Sequence, residues 1–159
     1  MSPDDLIDAF QSALCGRVRN AFSGCCAEDI HYEDPLSVGP CEGYDEIADH
    51  VARLWQAFPD ARLERAGERL HDGRFIAAPL RLVGTHGGDL TRLPATQRPL
   101  SLHGVLYCEL DADAERLWRV RAFYDPYDAG VQLGVLPAHG SLGERALFLM
   151  RGFGLRATG

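Results

Sequence analysis

Apolar residues recur at three- and four-residue steps in the first third of the chain and at two-residue steps afterwards. That change of period divides the sequence into helices followed by strands. Ile7, Phe10, Leu14, Val18 and Ala21 form one stripe of a helix. Ser2 is placed to cap it, Pro3 occupies its first position, and it is expected to end near Ser23-Gly24. A short extended segment from Asp29 stops at Asp34-Pro35, and Ile47, Val51, Leu54, Trp55 and Phe58 carry a second helix closed by Pro59. Segments 61–70, 74–85, 99–110 and 116–124 then read as strands, with turns at His71-Asp72-Gly73 and at Asp111 to Ala114. Gly130 to Gly140 reads as a loop and Ser141 to Met150 as a last short helix. Helices first and a strand meander afterwards predict an α+β domain over residues 1–137, its helices packed on one face of a curved antiparallel-rich sheet. Residues 138–159 are expected to form an extension that packs on the domain or on a partner subunit.

The strand parities assign faces. Trp118, Val120, Ala122 and Tyr124 alternate with Arg119, Arg121 and Phe123, so the even positions are expected inside. In the strand before it, Leu102, Leu106, Cys108 and Leu110 share one face, while Ser101, His103, Val105 and Tyr107 share the other. Both faces are apolar enough to be covered, and a homodimer through the sheet is the simplest cover.

Composition narrows the function. The 159 residues are 46% hydrophobic and 25% charged, the make-up of one soluble domain. A net charge of -7 argues against nucleic acid. All 16 basic residues are arginine, so chemistry that needs a lysine, such as Schiff-base formation or a phosphate-loop lysine, is excluded. The five cysteines contain no C-x-x-C and read as small buried hydrophobes. No apolar run is long enough for a membrane span and the acidic start is unlike a signal peptide, so the expected location is cytoplasmic.

Three polar residues stand out against this background. Asp34 ends a strand at a proline, where a carboxylate can enter a cavity without disturbing the ladder, and Tyr32 has the same parity. His103 lies within an apolar strand, and Tyr124 ends the inward face of its neighbour. A few polar groups in an aromatic-lined apolar hole are the usual make-up of a small-molecule site. The blander readings are a surface turn at Asp34 and a satisfied core histidine at His103. His31-x-Glu33-Asp34 is too loose for a metal site, and no G-x-S-x-G elbow supports an acyl-enzyme.

Tyr32-Glu33-Asp34-Pro35, Gly39-Pro40, Gly43 to Ile47, Ala57-Phe58-Pro59-Asp60, Gly84-Thr85-His86-x-Gly88, Arg98-Pro99-Leu100, Gly104-Val105 and Gln132-Leu133-Gly134 occur in an informative order. In that order and spacing the chain resembles the SnoaL-like polyketide cyclases of the nuclear transport factor 2-like superfamily, relatives of the ketosteroid isomerases. The resemblance implies a cone-shaped, cystatin-like α+β barrel with a deep apolar pocket, usually dimeric through the sheet. It implies Asp34 as general base and His103 as a pocket residue; with Tyr124, read from its strand position, these are the candidate catalytic residues. The expected substrate contacts are Tyr32, Phe10, Leu14, Trp55, Phe58, Trp118, Val120, Ala122 and Asp125. Phe10 stands where the isomerases carry a donor tyrosine, and the last strand carries Arg119 where the cyclases carry an acid/base aspartate, with Asp125 further on.

The function so implied is cofactor-independent proton abstraction beside a carbonyl of a hydrophobic small molecule, ending in cyclisation or a double-bond shift. Burial is expected to raise the pKa of Asp34 toward useful basicity. The alternatives are a non-catalytic ligand-binding module and an epoxide hydrolase on the same fold.

Overall fold

The computed structural model describes residues 1–151. Helix α1 (Pro3–Gly16) starts as its sequence dictates: the Ser2 hydroxyl accepts the Asp5 amide, and the Asp5 carboxylate accepts the Ser2 amide. It ends earlier than the apolar stripe suggests. Arg17 adopts a left-handed conformation (φ 56°), and the chain continues as a 3-10 turn over Arg19–Gly24. The stripe spans two elements that present Phe10 and Phe22 to each other, ring centroids 5.7 Å apart.

Strand β1 (Cys26–Glu33) leads through a tight turn to the two-residue β2 (Cys41–Glu42), and helix α2 (Gly43–Ala57) follows. The remaining strands are β3 (Arg62–Arg65), β4 (Leu70–Asp72), β5 (Phe75–Thr85), β6 (Pro99–Leu110) and β7 (Leu117–Tyr124). The sheet order is β2-β1-β7-β6-β5-β3, with β4 also paired to β5. All pairings are antiparallel except β1 with β7. That parallel contact brings the end of β1, with Asp34 just beyond it, beside β7. Two short helices complete the described chain, α3 (Pro126–Gln132) and α4 (Leu142–Met150). Helix α3 follows the last predicted strand and runs into the start of the loop predicted over Gly130 to Gly140; Asp125 caps it and Pro126 opens it. Of the extension 138–159, residues 152–159 lie outside the described residues.

The sheet and the α1–α2 pair enclose the core, in which Leu6, Ile7, Phe10, Ile30, Ile47, Ile76, Leu106 and Val120 are buried. Each such side chain contributes about 1.5–3 kcal/mol by leaving water. Cys25, Cys26, Cys41 and Cys108 are buried and free, and Cys15 is half-buried. Among the described residues no helix is long and apolar enough to cross a membrane.

Candidate active site

A cavity of about 500 Å³ opens between α2, the inner face of the sheet and α3. Its wall is largely aliphatic: Leu14, Leu54, Leu82, Leu102 and Leu106 are representative, and Leu90 and Leu93 reach it from the β5–β6 connection. Trp55 and Phe58 add aromatic surface. The wall includes three side chains with strongly polar groups at their ends, Tyr32, Asp34 and Tyr124.

The β5–β6 connection is strapped onto the end of α2. The Gly87 and Gly88 amides both donate to the Ala57 carbonyl, 3.0 Å each. A Cβ on Gly88 would lie 2.1 Å from the Gln56 carbonyl oxygen, so only glycine permits this approach. His86, fully buried, packs against Phe58 with the rings tilted by 32° and accepts the Thr96 amide at Nδ1, which fixes the return of the strap.

Asp34 is the most constrained group in the site. Its Oδ1 accepts the amides of Leu36 (2.7 Å) and Ser37 (2.9 Å), closing the turn that Pro35 begins. Its Oδ2 accepts the Tyr32 hydroxyl at 3.0 Å and faces His50 Nε2 at 2.6 Å. A carboxylate can only accept, so Nε2 carries the hydrogen. Burial alone would raise the pKa of Asp34. The hydrogen bond and charge of His50, the Leu36 amide and the Tyr32 hydroxyl outweigh it and hold the carboxyl below its ordinary value. The rise expected from desolvation is therefore reversed. Burial, with the nearby Asp34 charge, pushes the hydroxyls of Tyr32 and Tyr124 upward, so both remain donors at neutral pH.

The expected site residues divide. Asp34, Tyr32, Tyr124, Leu14, Trp55, Phe58 and Ala122 line the cavity. His103 does not: it is exposed on the outer face of β6, in an open groove with Val105, Phe123 and Asp125. The cause is parity, since Leu102 and Leu106 are the inward residues of that strand and an odd-numbered neighbour must point away. Phe10 is core, packed on Phe22 and Tyr32, and Val120 is likewise buried behind the cavity wall. Trp118 lies outside, edge-on to His31 with its indole N–H on Asp29. A register shift after the Glu109–Arg119 pair puts Leu117, not Trp118, opposite Leu110 and turns Leu117 inward. The Asp125 carboxylate is spent on capping α3 through the Tyr127 and Asp128 amides.

His50 was not foreseen. It lies one turn after Ile47 and one residue before Val51, on the buried face of α2, and that placement was its signal. A histidine on an apolar helical stripe needs a partner, and Asp34 is the one it has.

The SnoaL-like domain family matches residues 6–126, and the chain belongs to that family. A candidate SnoaL-like polyketide cyclase from Jannaschia sp. superposes with a TM-score of 0.73 at 15% identity, over 87% of this chain and 98% of that one. IdmH from Streptomyces antibioticus, a candidate polyketide cyclase, gives 0.71 at 18% identity, over 85% and 100%. A candidate isomerase of the SnoaL-like family from Agrobacterium tumefaciens gives 0.59 at 25% identity, over 76% and 95%. A search of curated proteins finds no match.

Proposed function

We propose that the protein is a cofactor-independent cyclase or isomerase that removes a proton beside a carbonyl of a hydrophobic small molecule. Asp34 is the base, and Tyr124 and Tyr32 are the donors that receive the enolate oxygen. Family membership supports a cyclase or isomerase role in general terms. The observation that carries the finer reading is a buried, charged carboxylate beside two protonated hydroxyls in an apolar cavity. Such donors are worth roughly 3 kcal/mol each to a developing oxyanion in a dry site. Attack of the enolate carbon on a second carbonyl closes a ring; return of the proton to another carbon shifts a double bond. His50 is a positioning residue, holding Oδ2 from the helix side.

The test is exchange of α-hydrogen for deuterium in hydrophobic ketones incubated with the protein in heavy water, followed by NMR. The wild-type chain is expected to exchange and Asp34→Asn to lose at least about 100-fold. Equal exchange in both proteins would remove Asp34 as the base.

A non-catalytic binding module is favoured by one feature, the four hydrogen bonds that already occupy Asp34. Epoxide hydrolysis by paired carboxylates around an arginine finds less support, since the residues lining the cavity include one carboxylate and no arginine.

A further inference from the structure

Four donors converge on Asp34, and they are not equivalent. Two are backbone amides fixed by the turn 34–37. The third is a ring nitrogen of His50, almost wholly buried and rooted in α2, at 2.6 Å. The fourth is the Tyr32 hydroxyl at 3.0 Å, whose hydrogen can swing about the C–O bond while the ring stays packed against Phe10 and His50. Tyr32 also lines the cavity, as the carboxylate does. Of the four, only this bond can be given up by turning a hydrogen alone, with no heavy atom moved.

We infer that Tyr32 is a ligand-operated hydrogen-bond switch: its hydroxyl hydrogen leaves Asp34 for the oxygen of an incoming carbonyl, so the site selects uncharged hydrogen-bond acceptors and exposes its base only once one is bound. This rests on the function proposed above and deepens it. The exchange conserves atoms and charge, because one O–H···O bond is traded for another and no proton is transferred. It releases an acceptor position on Oδ2 beside the ligand. With one stabilising donor fewer the carboxylate becomes more basic, in the direction that a proton acceptor needs. The same geometry discriminates by charge. A carboxylate ligand would sit beside charged Asp34 with no arginine among the lining residues to offset the repulsion.

The test compares 2-dodecanone with its methylene isostere 2-methyl-1-dodecene and with dodecanoate, all below micelle-forming concentration. Tryptophan fluorescence, to which Trp55 in the cavity wall contributes, gives affinity, and carbon-13 NMR follows the titration of Asp34. Wild-type protein is expected to bind dodecanoate at least about tenfold more weakly than the ketone. Asp34 should titrate at higher pH with the ketone bound than with the alkene bound, because only the ketone takes the Tyr32 hydrogen. Tyr32→Phe keeps the ring, and thermal unfolding confirms that it folds. It should lose the difference between ketone and alkene in the titration of Asp34. Asp34 titrating alike with ketone and alkene bound in the wild type, an equal or tighter grip on dodecanoate, or a Tyr32→Phe protein that keeps the ketone-specific shift would each overturn the switch. Deuterium exchange is read separately: a ketone that binds with the shift intact yet exchanges no hydrogen defeats the proposed reaction and leaves the switch standing.

Discussion

His50 Nε2 lies 2.6 Å from Asp34 Oδ2, which ties the middle of helix α2 to the end of strand β1 across the base of the cavity. Both side chains are almost fully buried, so each is the other's replacement for water. Removing the imidazole by His50→Ala should cost about 1–3 kcal/mol of stability, because a buried carboxylate loses a donor. Asp34 should then titrate at higher pH, and the acid limb of any Asp34-dependent exchange profile should move the same way. His50→Gln, which can still donate, should restore part of both. A deuterium-exchange profile unchanged in His50→Ala would count against the positioning role.

Acid stability follows from the same pair. The folded-state pKa of Asp34 lies below the ordinary value of 3.8, so its contribution is fully present above that value. It is lost as pH falls below 3.8 through the depressed folded-state value. Between about pH 6 and pH 3 the wild-type melting temperature should therefore fall further than that of Asp34→Asn. Parallel curves for the two proteins would show that Asp34 is not held in its charged form.

The strap over α2 makes a steric prediction. Gly88→Ala places a methyl group against the backbone of Gln56 and should destabilise the fold by about 1–3 kcal/mol. Gly39→Ala, where nothing lies within 4 Å, is the control and should be near neutral. Calorimetry of both variants checks the contrast. Weakened binding of hydrophobic ketones in Gly88→Ala alone would show that Leu90 and Leu93 depend on the strap for their place in the wall.

We propose that a second copy of the chain covers the outer face of the sheet. Phe75 and Tyr107 stack there with centroids 6.0 Å apart, and Val105 and Phe123 stand exposed beside them. Light scattering at micromolar concentration is expected to give a dimer mass, and Tyr107→Glu combined with Phe123→Glu a monomer that keeps its helical and strand content. A monomer mass for the wild type would leave this apolar face without its expected partner.

The helices-then-strands order was legible because the change of hydrophobic period is a local property of the sequence. The end of a strand at Asp34-Pro35 was legible too, and the turn reading and the cavity reading of Asp34 both hold, since one oxygen closes the turn while the residue lines the cavity. His103 stands on the face opposite to the one the resemblance implies, because Leu102 and Leu106 claim the inner face of its strand. Trp118 was misplaced because a register shift reverses parity, and nothing in Arg116 to Arg119 announces one. His50 needed pairing information: its helical position was readable, but its partner lies on another element sixteen residues earlier. The short helix α3 could have been read from Asp125-Pro126, a cap followed by a favoured first residue.

The turn at Asp34 has a consequence for selectivity. With Oδ1 fastened to the amides of Leu36 and Ser37, the proposed base has no freedom to travel toward a distant hydrogen. Regiochemistry is then decided by how a guest lodges among the leucines, and enlarging or shrinking one of them should redirect which carbon is deprotonated while the acid–base group itself stays put.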